Sequence, residues 1–430
     1  MSERVSWQVC ASCGQELAAS DPRQRCPACR GLLELRHRAP PMTHGGLRAL
    51  LDSRLGVRRG PLASGVWRYR ELVLPEGDDS LVSYPEGNTP LLARPVVAGW
   101  AGVPELLLKH EGHNPTGSFK DRGMTVGVTQ ARRVRATAVA CASTGNTGAS
   151  LAAYAALAGI PALVIVPKGR VAVGKLTQVL AYGARTILVR GDFDACLSLA
   201  LAAGERLGVY LLNSINPFRL EGQKTIVLEL LQQLGWEPPD WIVVPAGNLG
   251  NTAAFGKALR EACGWGLISR VPRLAAVQAE GAAPFALSYR DGFATRHRVQ
   301  AHTVATAISI GNPASYERAV QAIRETDGVV LAVSDAEILE AKAVVDASGA
   351  GCEPASAASV AGVRQLVRSG VIRKTDRVVA VLTGHLLKDP DVVLAYHQGT
   401  DPPSPRANRP VEIEPKLEEI ERVLSARATP

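Results

Sequence analysis

From about residue 88 to residue 383 the chain alternates short β-branched runs with alanine-rich stretches, a rhythm that few folds accommodate. TAVACAS, ALVIVP, TILVR, VYLLN, WIVVP, RLAAVQA, VVLAV and RVVAVLT read as strands. Helices are predicted after residue 147, over about 174–182 and over 192–207. Such alternation points to open parallel sheets with helices on both faces, where ligands bind at loops leaving the carboxyl ends of strands. The longest uncharged run, Ala149 to Pro167, approaches the length of a membrane span. Gly159-Ile160-Pro161 divides it into a helical half, SLAAYAALA, and an extended half, ALVIV. A buried helix–turn–strand unit is therefore expected, and no membrane partner.

With 430 residues the chain can build two or three cores. Its formal charge of +8 comes from scattered basic residues without an aromatic-plus-basic stripe, so no nucleic-acid partner is expected. A mild positive field suits anionic small molecules instead. No N-terminal stretch joins positive charge to an apolar core, which predicts a cytoplasmic protein whose cysteines are reduced unless they hold metal.

Four of the eight cysteines fall in the first 29 residues, as Cys10-Ala11-Ser12-Cys13 and Cys26-Pro27-Ala28-Cys29. Each pair sets two thiolates on one side of a tight turn, and two such turns complete a tetrahedral four-sulfur site for a structural Zn2+. Metal binding would supply folding energy to a segment too small to fold alone. Cys141, Cys196, Cys263 and Cys352 stand apart in apolar surroundings and read as small core residues. The expected organisation is a zinc-ribbon-like segment over 1–38, then a connector rich in Arg, Gly and Pro that leads into the large domain over 39–116. A small α/β domain follows over 117–213, a large α/β domain over 214–400, and a linker with an amphipathic helix over 401–430.

Three loops have compositions that a core alone would not require. Only ten of the 48 basic residues are lysines, so Lys120 in NPTGSFKDRGM stands out. It is predicted to open a helix with Ser118 as N-cap, near the positive end of the dipole, which lowers an amine's pKa toward what Schiff-base chemistry needs. Ser143-Thr144-Gly145-Asn146-Thr147-Gly148 leaves a strand and opens a helix. Its hydroxyls and backbone N–H groups make a carboxylate cradle, and Asn146 can donate to a phenolate oxygen. Gly247-Asn248-Leu249-Gly250-Asn251-Thr252 lacks both the dinucleotide fingerprint and the Walker lysine, so it reads as a cup for a single phosphate. A lysine, an amide donor and a one-phosphate cup on one α/β scaffold form the constellation that pyridoxal 5'-phosphate requires.

In this order, NPTGSFKDRGM, ASTGNTG, NSINPFRLEGQK, PAGNLGN, EPASAAS and VLTGHLLKDP resemble the threonine synthases of the fold-type II pyridoxal-phosphate family, over about residues 80–395. The resemblance implies a tryptophan synthase β-like α/β fold, with two open twisted parallel-sheet domains, the active site between them and a small N-terminal zinc ribbon. It implies Lys120 as Schiff-base lysine and proton shuttle, and Asn146 against the ring oxygen. Gly247, Asn248, Leu249, Gly250 and Asn251 would surround the cofactor phosphate, and Thr383 would face the pyridine nitrogen. A hydroxyl there, unlike a carboxylate, does not hold the pyridine protonated.

By the same resemblance, Ser143, Thr144 and Thr147 receive the substrate carboxylate, while Ser214, Asn216 and Arg219 receive a substrate phosphate. The implied reaction converts O-phospho-L-homoserine and water to L-threonine and phosphate, in a homodimer. The scaffold also serves serine/threonine dehydratases and O-phosphoserine-using cysteate synthases; a non-enzymatic zinc-ribbon regulator is the reading from another class. Leu386 departs from the family's Gly-His-Gly-Leu-Lys loop, and His113 and His385 are read as non-catalytic. Glu353 and Ser356 lie at a helix start, which a cap explains as well as a place in the site.

Overall fold

The computed structural model describes residues 5–75, 81–143, 145–169, 176–191, 193–399, 404 and 406–426. The chain divides into two compact units, Met1–Lys388 and Asp389–Pro430. The second carries helices Pro390–Gln398 and Leu417–Ala426. The first carries three sheets among its described residues.

The N-terminal sheet is antiparallel, with β1 (Ser6–Cys10) between β2 (Glu16–Ala18) and β3 (Leu33–His37). The largest sheet contains β4 (Leu91–Ala93), β5 (Leu106–His110), β10 (Trp241–Pro245), β11 (Arg273–Ala279), β12 (Val329–Val333) and β13 (Val378–Leu382). Their order is β12-β11-β10-β13-β5-β4, parallel except for the edge strand β4. The third sheet, wholly parallel, has β6 (Ala138–Ala142), β7 (Ala162–Pro167), β8 (Arg185–Val189) and β9 (Val209–Leu211) in the order β8-β7-β6-β9. The eight runs that alternate with helices in the sequence supply β6 to β13. β5 is a parallel strand of the same kind, and β4 pairs antiparallel at its edge.

The helix predicted over 174–182 is seen at Thr177–Ala181, with 170–175 outside the described residues; that over 192–207 is seen at Phe193–Leu207. The segment that reads as a connector is largely interior. Val66, Trp67, Tyr69, Leu72, Val73 and Leu74 pack into the core on one face of the six-stranded sheet. Trp67 Nε1 donates to Thr125 Oγ1 at 2.9 Å, so the indole is buried without an orphaned N–H. Cys141, Cys196 and Cys352 are buried as expected. Cys263 is exposed, on the outer side of helix Gly250–Gly264 near its end.

Two helices meet unusually closely. Helix Lys120–Arg133 and helix Pro217–Gln233 touch through glycines, and a Cβ added at Gly222 would lie 1.8 Å from the Arg122 carbonyl oxygen. Beside this contact lies a buried charge cluster. Arg122 donates to Glu111 Oε2 at 2.7 Å through Nε, and to Glu229 Oε1 at 2.8 Å through one terminal nitrogen. Lys109 Nζ reaches Glu229 at 2.7 Å, and Arg68 reaches it at 3.1 Å. Burial by itself would raise both carboxyls, yet the surrounding cations hold Glu111 below the usual carboxylate range and Glu229 well below it. Removing one partner strands the others' charge in the interior. Glu229→Ala is expected to lose about 3–5 kcal/mol of stability, read as a lowered midpoint in denaturant unfolding.

Candidate active site

Neighbours on both sides fix Lys120. Before it, the Thr116 N–H and hydroxyl donate to the Asp121 carboxylate at 2.7 and 2.6 Å. After it, Arg122 is locked in the charge cluster. The expected cap by Ser118 is not made: Phe119 is the N-cap, no side chain caps the helix, and Ser118 Oγ is buried without a partner among the described residues. Backbone pairing with the loop after β13 takes the cap's place. Phe119 N donates to Thr383 O at 3.0 Å, His385 N donates to Gly117 O at 2.9 Å, and Ser118 bridges Gly384. This pairing carries Thr383 to the lysine.

The amine of Lys120 stands 3.8 Å from the centre of the Phe119 ring. Burial lowers its pKa to about 7; the nearby Arg219 guanidinium adds to the fall and the Glu353 carboxylate opposes it. Arg219 is itself buried, and burial lowers it to about 10. One terminal nitrogen donates to Leu212 O at 3.0 Å, Nε has no partner, and no carboxylate pairs with it among the described residues. Gly123 and Gly127, one turn apart on the lysine's helix, leave the groove in which the arginine stem lies; a Cβ at Gly127 would come 3.3 Å from Arg219 Cγ.

Asn216 departs from expectation. Its Oδ1 accepts from the backbone N–H of Phe218 at 3.0 Å and of Arg219 at 3.4 Å, and its amide donates to Leu211 O at 3.0 Å. It is the buried N-cap that aims Arg219, with no group left for an anion.

The 143–148 loop leaves β6 and opens helix Asn146–Ala158. Ser143 Oγ accepts from Gly145 N at 3.2 Å, Thr147 is half-buried nearby, and Thr144 lies outside the described residues. Asn146 Nδ2 donates to Glu353 Oε2 at 2.9 Å, and the other oxygen of Glu353 accepts from Thr383 Oγ1 at 3.0 Å. One carboxylate thus joins the amide and the hydroxyl that the sequence singled out separately. Sequence reasoning left Glu353 undecided. A usable signal existed, since glutamate is a poor N-cap beside Ser, Thr, Asp or Asn.

The 247–252 loop leaves β10. Leu249 adopts the left-handed conformation at φ 64° and caps helix Gly250–Gly264. A Cβ at Gly247 would meet Ile308 Cα at 2.9 Å, so the backbone approaches closely only as glycine. Asn248 is committed to the scaffold, donating to Ser214 Oγ at 3.0 Å and accepting from Ala314 N at 2.7 Å. Around the cup, Arg219 Nε, Gln223 Oε1, Asn251 Oδ1 and Thr252 Oγ1 are buried with no partner among the described residues. Of these, Arg219 Nε and the Thr252 hydroxyl can donate to an anion, whereas the two amide oxygens can only accept. The start of helix Gly250–Gly264 presents backbone N–H groups of the kind that hold phosphate.

Away from this site, Cys10, Cys13, Cys26 and Cys29 bring their sulfurs within 4.8 Å of one another, a donor set that fits a metal ion. Each knuckle closes the same way: Gly14 N donates to Cys10 O at 3.0 Å and Arg30 N to Cys26 O at 2.9 Å. Leu386, the departure from the family loop, covers Gly351, where a Cβ would lie 2.6 Å from its Cδ2 and φ is +59°.

A family model described as pyridoxal-phosphate dependent enzyme matches residues 82–384. The chain is 44% identical to threonine synthase of Methanosarcina acetivorans, over 90% of this chain and 93% of that protein. It is 41% identical to threonine synthase of Methanocaldococcus jannaschii, over 97% and 99%. Threonine synthase from Escherichia coli superposes with a TM-score of 0.71 at 19% identity, over 96% of this chain and 94% of that one.

An amine near pH 7 is mostly free base at pH 8, where ordinary lysines remain ammonium. A small amine-acylating reagent applied to protein stripped of small molecules should mark Lys120 with a half-point near pH 7 in peptide mass spectrometry. A half-point about three units higher, at the ordinary lysine value, would contradict the assignment.

Proposed function

The chain belongs to the pyridoxal-phosphate dependent enzymes and, within them, to the threonine synthases; from that premise we propose how its own residues convert O-phospho-L-homoserine and water to L-threonine and phosphate. Pyridoxal phosphate, when bound, supplies the electron sink for negative charge developed at the substrate's carbons. The observation that carries the reading is geometric: backbone pairing brings Thr383 to the Lys120 helix start, and Glu353 joins Thr383 to Asn146 beside it; the lowered pKa of the lysine agrees with it.

Lys120 would hold the cofactor through its aldehyde. As a free amine with a pKa lowered to about 7, it would be able to take the Cα proton and to move protons at Cβ. Asn146 would donate to the ring oxygen with its second amide hydrogen, and Thr383 would face the ring nitrogen. The N–H groups of Gly247 to Asn251, at the start of helix Gly250–Gly264, hold the cofactor phosphate. Ser143, Thr147 and Thr144 take the substrate carboxylate, although Thr144 lies outside the described residues.

Arg219, with Ser214, holds the phosphate that departs from Cγ before water adds at Cβ. A buried guanidinium lacking a carboxylate is built for an anionic substrate group, which a dehydratase acting on free serine or threonine does not require. Asn216 contributes by aiming Arg219 rather than by touching phosphate. The four-cysteine cluster holds zinc in a closed structural site.

Lys120→Ala should lose the cofactor's visible absorption band and all turnover. Arg219→Met should keep the band while KM for phosphohomoserine rises by roughly 10- to 100-fold, the worth of a charged hydrogen-bond pair. Phosphate release and product identity with phosphohomoserine, phosphoserine and threonine decide the substrate; preference for phosphoserine would overturn it. Metal analysis should return about one zinc per chain, absent after paired replacement of Cys10 and Cys13 by serine.

A further inference from the structure

We propose that Glu353 governs the hydrogen-bond direction at the cofactor's ring nitrogen, acting through the Thr383 hydroxyl as a positioning residue. The inference rests on the reading above that Thr383 is that nitrogen's partner.

Glu353 occupies the N-cap position of helix Pro354–Arg368, yet makes no side-chain cap hydrogen bond. It turns inward, 3% exposed, and accepts from Asn146 Nδ2 at 2.9 Å and Thr383 Oγ1 at 3.0 Å. Gly384 leaves the space it needs, since a Cβ there would lie 2.5 Å from Glu353 Cδ. The charged groups facing it are Lys120 and Lys388, which favour the carboxylate; burial opposes them and holds its pKa above the usual range. Ser356 Oγ, 3.0 Å from Thr383 Oγ1, accepts from Gly384 N at 2.9 Å and can direct its own proton to Thr383 or to Gly384 O at 3.4 Å.

The proton count at Thr383 Oγ1 then has two solutions, because a hydroxyl has one proton and two lone pairs. An ionised Glu353 only accepts, so it draws the hydroxyl proton and leaves a lone pair toward the ring nitrogen, which favours N–H there. A protonated Glu353 donates to Thr383, and the hydroxyl proton turns to a bare ring nitrogen. The two states interconvert as Thr383 takes a proton from Glu353 while passing its own to the ring: the Glu353 O–H breaks, the ring N–H forms, and Thr383 breaks one O–H and forms another. Thr383 is therefore a hydroxyl backed by a carboxylate, and the neutral pyridine expected of a hydroxyl partner is only one of its two settings.

Glu353→Gln separates them. The glutamine Oε1 still accepts from Asn146, while its Nε2 can only donate to Thr383, which fixes the hydroxyl proton toward the ring. The holoenzyme is loaded with pyridoxal phosphate carrying 15N in the ring, and the ring nitrogen's chemical shift is read at neutral pH. The wild-type signal is expected in the protonated or exchange-averaged range, and that of Glu353→Gln in the unprotonated range. A wild-type signal already in the unprotonated range, which needs no variant to observe, would overturn the proposal, as would identical signals in the two proteins. Thr383→Val distinguishes the levels of failure: it should shift the signal and abolish any further effect of Glu353→Gln. An unmoved signal would remove Thr383 as the ring's partner and the inference with it, leaving the lysine and phosphate assignments standing.

Discussion

Arg122 clamped between Glu111 and Glu229 is the constraint on which the site's geometry rests. A guanidinium buried this deeply is tolerable only with both carboxylates in place, and those come from the end of β5 and the middle of helix Pro217–Gln233. The start of the Lys120 helix is thereby tied to a strand of the six-stranded sheet and to the helix that presents Arg219. Asp121 fixes the other side through Thr116. Lys120 is thus flanked by residues that are fixed on both sides.

Much of the architecture was legible because its causes are local. Strand and helix periodicity gave β6 to β13 to within two residues at each end; loop composition marked the turns that follow β5, β6 and β10, and the family resemblance the one after β13. What stayed hidden depends on partners far apart in the chain. Glu229 meets Lys109 across 120 positions and Glu353 meets Asn146 across 207. No spacing rule reaches that far. The connector misled because its Arg, Gly and Pro content hides Trp67 and Tyr69, while Arg68 among them is neutralised by Glu229. Asn216 looked like a ligand because capping and anion binding draw on the same residue types. Cys263 looked interior because its neighbours are.

The ribbon is docked on the same helices. His37 Nε2 lies 2.9 Å from the Glu221 carboxylate in a buried contact, and Gln130 Nε2 donates to Ala19 O at 3.0 Å. Glu221 also pairs with Lys224 at 2.5 Å and with Lys257, on the helix that begins at the phosphate cup. Order in the four-cysteine segment is therefore coupled to a surface shared by the Lys120, Arg219 and cup helices.

The glycines at 123, 127 and 222 have a meaning beyond close packing. With the arginine stem laid in the groove of the lysine's own helix, the separation of amine and guanidinium is set by contact between two rigid rods, with no loop between them to give. Such a pair would work as a caliper. Under the proposed roles, one jaw would rest at the carbon that loses its proton and the other at the charged group to be expelled, so that chain length would be read by the packing of two helices.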